Sequence, residues 1–202
     1  MIGLLTVVIA YLLGSIPFGY IIVRLKTGSD IRASGSGNIG ATNVLRTTGR
    51  TAGIVTLLLD AAKGYLAVWL ASHFTAADPI WTSAAAVAVL LGHAYPVFLG
   101  FKGGKAVAST VGAFLVLTPS AIAAVTVVFV GAVAMTRYIS LGSILAAGLF
   151  PLAVWMIAHP PFPVIYASLF AGAFIVYRHR ENLRRLHEGT ERLLSLKGRG
   201  PR

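Results

Sequence analysis

Ala106–Thr136 reads AVASTVGAFLVLTPSAIAAVTVVFVGAVAMT, 31 consecutive residues without a charge. As one straight helix it would run about 46 Å, half as long again as a hydrocarbon core of about 30 Å. Thr118-Pro119-Ser120 falls near its middle, and a proline beside capping hydroxyls ends one helix and starts the next. Two helices are therefore expected, over 106–118 and 119–136. That choice decides the topology, because it sets the side on which everything downstream lies.

Working outward, Met1–Val23 is uncharged and stops at Arg24 and Lys26, which predicts a span over 2–23. It lacks a basic leading region and a small-residue cleavage site, so it reads as a retained span rather than a signal peptide. Further spans are expected over 51–72 and 79–99. The uncharged stretch Tyr138–Tyr177 is divided by His159-Pro160-Pro161-Phe162-Pro163 into spans over 140–158 and 162–177. Seven spans result, with the N-terminus outside and a cytoplasmic tail over 178–202. Parity supports the count. A single helix over 106–136 would put the basic residues of the tail opposite the loops that carry Arg32, Arg46 and Lys105. With seven spans, every one of the 17 Lys and Arg residues except Lys63 shares one membrane face, as the positive-inside rule requires. The expected fold class is an all-α polytopic membrane protein, one integral-membrane domain over 1–202.

Composition agrees. An apolar content of 56%, a mean hydropathy of +0.80 and only 11% charged residues do not suit a soluble domain. The formal charge of +11 follows from cytoplasmic loops, so no nucleic-acid partner is implied. The absence of cysteine excludes disulfides and thiolate metal sites.

Several motifs resemble known signatures but sit in the wrong context. GSGNIG (35–40) matches G-x-G-x-x-G, yet no strand precedes it and Asp60 lies within an apolar span. GFKGGKA (100–106) lacks Walker A spacing and has Ala106 where a magnesium-binding hydroxyl belongs. His73 and Asp78 form H-x4-D, a spacing used to activate hydroxyls in one class of acyltransferases, but they fall in a short loop on the outer face. Asp60 and Lys63, three apart on a helix, read first as a mutually paired couple, since an isolated charge at mid-bilayer costs about 2.5–3.5 kcal/mol.

Three clusters do gather donors and cations at the cytoplasmic face. SGSGNIGATNVLR (34–46) supplies Ser36, Gly37, Asn38, Thr42 and Asn43 for close backbone approach and hydrogen bonding, and Arg46 for bidentate contact with an oxyanion. GFKGGK (100–105) opens a helix, so the amides at Gly103 and Gly104, with the helix dipole and Lys105, are expected to face a phosphate. RHREN (178–182) places His179 and Asn182 three apart, on one face if the last span continues as a helix. Glu181 reads as an ion-pair partner.

With these clusters in order, the chain resembles the bacterial acyl-phosphate:glycerol-3-phosphate acyltransferases, the PlsY family. The likeness runs from LGSIPFGY through GSGNIGATNVLRTTG, GHAYPVFLGFKGGKAVAS and RYISLGS to YRHRENLRRLHEGTE. Its departures are Ala106 and Ser109, in a segment often written GKGVAT, and an Arg/Gly-rich tail after Glu191. The resemblance implies a seven-helix inner-membrane enzyme that moves a fatty acyl group from acyl phosphate to glycerol 3-phosphate, giving lysophosphatidic acid, without acyl-CoA, acyl carrier protein, metal or other cofactor. It implies catalytic positions at Ser36, Arg46, Lys105, His179 and Asn182, with Ser143 as a further substrate contact. A soluble enzyme that makes acyl phosphate is the implied partner.

Because acyl phosphate is already an activated anhydride, no acyl-enzyme is needed, and Ser36 reads as a hydrogen-bond donor rather than a nucleophile. A phosphate with a second pKa of about 6 can itself accept the hydroxyl proton. Two other readings compete. One is a transporter or flippase for a phosphorylated anion; the other is a basic scaffold binding anionic lipid.

Overall fold

The computed structural model describes residues 1–194 of the chain. Ten α-helices run in the order α1 (Ile2–Ser15), α2 (Phe18–Thr27), α3 (Ala41–Thr48), α4 (Arg50–Phe74), α5 (Pro79–Ala94), α6 (Val107–Leu117), α7 (Pro119–Thr136), α8 (Ile139–Ala153), α9 (Phe162–Arg178) and α10 (Arg180–His187). No strand occurs among the described residues. The outward surface is apolar, with Leu58 62% and Val127 73% exposed, which only a lipid environment tolerates on this scale.

Among the described residues, five helical stretches are long and apolar enough to cross a membrane: Ile2–Thr27, Arg50–Phe74, Pro79–Leu99, Pro119–Thr136 and Ile139–Ala158. A sixth results if α9 and α10 count as one span, bent by 51°. The long uncharged stretch does break at the proline, with Pro119 opening α7 directly after Thr118. Its first half is shorter than expected. At 11 residues, α6 covers about 16 Å, half a hydrocarbon core.

Helices with little hydrophobic incentive to associate in lipid do so through small residues that let backbones touch. A Cβ on Gly64 would lie 2.1 Å from Ser109 O, and one on Gly112 would lie 1.8 Å from Ala61 O. The third residue of α6 therefore packs at the middle of α4. Gly14 meets Val89 O and Gly92 meets Tyr11 O in the same way between α1 and α5. The buried core is accordingly rich in alanine, with Ala67, Ala71, Ala85, Ala86, Ala113 and Ala121 among its members around Phe114 and Phe150.

The first span is interrupted at Ile16-Pro17, and the carbonyl freed at Ile16 accepts Lys63 Nζ at 2.8 Å. Lys63 also stands 2.8 Å from Asp60 Oδ1, an ion pair angled away from hydrogen-bond alignment. The pairing expected of these two residues is thus present. His93 Nδ1 lies 3.6 Å from the same carboxylate, which the sequence did not suggest.

The pair His73 and Asp78 has local roles. Asp78 caps α5 by accepting Ile80 N at 2.8 Å and Trp81 N at 3.4 Å, while His73 stacks on Trp69 at 5.6 Å. The GSGNIG segment follows a 3-10 turn over Ile31–Ala33, not a strand.

Candidate active site

A cavity of about 510 Å³ opens where the three clusters meet. Ser36, Asn38, Thr42, Asn43 and Arg46 line it from the first cluster, Lys105 from the second, and His179 and Asn182 from the third. Ser143 lines it from α8. Residues separated by up to 146 positions are thus brought to one space by the fold. Apolar side chains complete the lining, among them Leu45, Ile54, Leu57, Phe129 and Ile139.

The first loop owes its shape to Asn43, which is 2% exposed. Its Oδ1 accepts Ser36 N at 2.9 Å, and its Nδ2 donates to Ser34 O at 3.0 Å and Asn38 O at 2.8 Å. Asn43 is therefore committed to folding the loop and presenting Ser36. Asn38 Oδ1 accepts Gly40 N at 2.8 Å, a turn that leads into α3. Gly37, in the left-handed region at φ +71°, shapes the same turn without lining the cavity. Arg46 Nη2 donates to Arg192 O at 3.0 Å, and its buried Nε has no partner among the described residues. Burial pulls the Arg46 pKa below its ordinary value. A buried, unpaired donor on a cation is an anion site in waiting.

The glycine loop corrects one expectation. Gly103 N donates to Ala94 O at 3.2 Å and Gly104 N to His93 O at 3.1 Å, so these amides do not face a ligand and neither residue lines the cavity. Their smallness serves packing: a Cβ on Gly104 would lie 2.2 Å from His93 Nε2, and one on Gly103 2.2 Å from His93 O. The cavity instead receives the following residues, Lys105, Ala106, Val107 and Ala108. Val107 and Ala108 form the first turn of α6, where N–H groups have no intrahelical acceptor. The helix start that meets the cavity is thus one turn later than the glycine loop.

The third cluster is also bent rather than continuous. His179 closes α9 and opens α10, and Asn182 N donates to the His179 carbonyl at 2.8 Å, which keeps the two on the first turn of α10. His179 Nδ1 lies 2.8 Å from Ile175 O. A carbonyl only accepts, so Nδ1 carries the proton and Nε2 keeps a free lone pair. Burial, reinforced by the nearby Lys105 ammonium, pushes the His179 pKa down to about 4. The ring is neutral near pH 7.

Lys105 Nζ donates to Asn182 Oδ1. Burial, with the Arg185 cation adding to it, brings the Lys105 pKa down to about 8. Asn182 Nδ2 donates to Glu191 Oε1 at 2.9 Å. Glu191 also accepts Ser140 Oγ at 3.0 Å and Arg185 Nε at 2.8 Å. Burial raises the Glu191 pKa, but these hydrogen bonds outweigh it and leave the carboxyl below its usual range. Glu191, Ser140 and Arg185 line the cavity, and sequence reasoning missed them. Their only signal was a lone acid after a Gly-Thr turn amid arginines. Glu181 pairs with Arg184 at 3.0 Å on the surface.

Deeper in the wall lie Asp60 and His93, with His93 Nδ1 3.2 Å from Ser109 Oγ. Among the described residues no three His, Asp or Glu side chains converge as metal ligands. Chemically, the cavity offers the cations of Arg46, Lys105, Arg185 and Arg192, the first turn of α6, a neutral imidazole and apolar side chains: a place for phosphate beside a hydrocarbon chain.

Residues 4–189 match the family model described as glycerol-3-phosphate acyltransferase. The glycerol-3-phosphate acyltransferase of Geobacter sulfurreducens is 50% identical over 188 residues, 93% of this chain and 95% of that protein. That of Geotalea daltonii is 47% identical over 182 residues, 90% of this chain and 92% of that protein. The crystal structure of PlsY, an integral membrane glycerol 3-phosphate acyltransferase, in its glycerol 3-phosphate form superposes with a TM-score of 0.91 at 41% identity, covering 96% of each chain. The lysophosphatidic acid form gives 0.88 at 39% identity, again over 96% of each. Fold, motifs and relatives agree over nearly the whole length, and the chain belongs to the integral-membrane glycerol-3-phosphate acyltransferases, the PlsY family.

Proposed function

We propose that this chain transfers a fatty acyl group from acyl phosphate to glycerol 3-phosphate at the cytoplasmic face of a bacterial inner membrane, yielding lysophosphatidic acid and inorganic phosphate. The observation that carries this reading is the convergence of Ser36, Arg46, Lys105, His179 and Asn182 on one cavity that apolar side chains also line. Arg46, Lys105 and the first-turn amides of α6 neutralise the two phosphates. Leu57, Phe129 and Ile139 receive the acyl chain.

The glycerol hydroxyl oxygen attacks the acyl carbonyl carbon, the carbonyl C–O bond to phosphate breaks, and phosphate leaves with that electron pair. The hydroxyl proton passes to a phosphate oxygen, so no acyl-enzyme forms. Ser36 donates a hydrogen bond to phosphate or to the developing oxyanion. His179 Nε2 accepts from glycerol 3-phosphate, and Asn182 orients it. Ser143, Thr42 and Asn38 complete the lining.

The same reading has the single domain 1–202 cross the membrane seven times, with α6 as the short crossing, the N-terminus outside and the tail cytoplasmic. A soluble acyl-phosphate-forming enzyme supplies the donor.

The test is purified protein in detergent, given acyl phosphate and glycerol 3-phosphate without added metal. Equimolar phosphate and lysophosphatidic acid are expected, with acyl-CoA inactive as donor. Acyl phosphate alone should release no phosphate burst. A stoichiometric burst would establish an acyl-enzyme, and substrate counterflow in liposomes without product would favour transport.

A further inference from the structure

Arg178 takes no part in the steps above, and its place at the end of an apolar helix is explained most simply by membrane orientation. A residue with only that duty turns its head to water. Arg178 does the reverse. Its Nε donates to Gly104 O at 3.1 Å, and its Nη2 donates to Gly104 O at 2.8 Å and Gly103 O at 3.3 Å. The guanidinium also lies over the Tyr95 ring at 5.2 Å, and Tyr95 O is itself tied to α1 by Tyr11 Oη at 2.8 Å.

The Gly104 peptide is held from its other side as well. Its N–H goes to His93 O at 3.1 Å, and its α-carbon rests so close to the imidazole that a Cβ would meet His93 Nε2 at 2.2 Å. Lys105 is the next residue, and it reaches Asn182 across the cavity. Arg178 is in turn next to His179. The clamp therefore joins the backbone immediately before one site residue to the backbone immediately before another.

We propose that Arg178 is a positioning residue for Lys105, fixing the Gly103–Gly104 backbone so that the ammonium is presented at a set distance from His179 and Asn182. The inference rests on the acyl-transfer reading for its catalytic consequence, but not for its geometry. Two donors from adjacent nitrogens converging on Gly104 O, a third contact to Gly103 O and a cation over the Tyr95 ring need a planar fork, which lysine does not have.

A second consequence is electrostatic. The groups that face Lys105 are Arg185, Glu191, Arg178 and Arg46, with His179 beside them. Arg178 is one of the cations that oppose a further charge there. Removing its charge favours the Lys105 ammonium, and removing only its shape does not.

The experiment compares full-length wild type, Arg178→Lys and Arg178→Gln in detergent. It measures thermal unfolding, kcat/KM for glycerol 3-phosphate across pH, and the pH dependence of Lys105 acylation by an amine-directed reagent, read by mass spectrometry. Arg178→Lys should fold like wild type yet lose kcat/KM by about 100-fold, the effect of misplacing a group by about 1 Å. Its labelling midpoint should stay at the wild-type value of about 8. Arg178→Gln should lose as much activity and move both the labelling midpoint and the alkaline limb to higher pH. Arg178→Lys within twofold of wild type would overturn the proposal, as would an unmoved midpoint in a folded Arg178→Gln. If Arg178→Gln does not fold, the kcat/KM of Arg178→Lys decides. The labelling arm needs no turnover, so a wild type silent in acyl transfer would refute the reaction while the midpoints still judge the clamp.

Discussion

Asn182 donates Nδ2 to Glu191 Oε1 at 2.9 Å, which fixes the amide so that its oxygen, not its nitrogen, meets Lys105. An Asn left free could present either end. A residue outside the three motifs thus sets the polarity of one inside them.

Glu191→Ala should therefore act on both stability and rate. It leaves Asn182 Nδ2, Ser140 Oγ and Arg185 Nε unpaired, at about 1–3 kcal/mol for such a buried loss. Thermal unfolding in detergent checks the first effect. The second is a kcat/KM reduced by about 100-fold through a misoriented Asn182. Wild-type stability near neutral pH in a refolded fraction would disprove the bracing role.

The pH profile should be set by Lys105 and by substrate phosphate. In the proposed reaction Lys105 acts as a cation, and with its pKa lowered to about 8, kcat/KM should fall as pH rises through that value. Lys105→Met should lower kcat/KM by about 100- to 1000-fold and remove the alkaline limb. On the acid side, His179 at about 4 is already neutral, so the limb should lie near a phosphate pKa of about 6. That limb should survive in His179→Gln. If His179→Ala abolishes turnover while glycerol 3-phosphate affinity and structure persist, the imidazole is the base.

The buried Asp60 and Lys63 pair predicts strong non-additivity. Each single change, Asp60→Asn or Lys63→Met, strands a charge inside the protein and should cost about 3–5 kcal/mol. The double variant should recover part of that, because no lone charge remains. Equal and additive losses would mean that the ion pair is not what holds the two residues.

Two substitutions within three residues should have opposite signs. Gly104→Ala forces a methyl into the His93 ring and should destabilise by about 1–3 kcal/mol. Ala106 sits at φ +61°, where a side chain costs about 1–2 kcal/mol against about 0.8 kcal/mol for its buried methyl. Ala106→Gly should leave stability unchanged or raise it by up to about 1 kcal/mol, measured by thermal unfolding.

Much of this was legible because some signals are local. Pro119 marks the start of α7 by chemistry alone, and Asp60 and Lys63 are neighbours on any helix. The motif residues Ser36, Arg46, Lys105, His179 and Asn182 carried donors or charge that a lipid-facing chain has no other use for. The glycine loop was read incorrectly because its sequence fits two demands, anion binding and close packing. Only the position of His93, set by α5, shows that packing claims Gly103 and Gly104. Glu191, Ser140 and Arg178 were invisible for a related reason. Their partners lie far along the chain, Glu191 with Ser140 and Arg178 with the carbonyls of Gly103 and Gly104, so no single segment reveals them.

Because Leu57 and Asp60, near the middle of the 25-residue α4, line the cavity, it reaches well inside the helical bundle rather than stopping at the helix ends. For the proposed reaction, the two substrates then reach it from different phases. The donor diffuses in two dimensions and is counted per area of membrane, while the acceptor is counted per volume of cytoplasm. Diluting the protein with detergent or lipid should thus slow the first encounter and leave the second untouched.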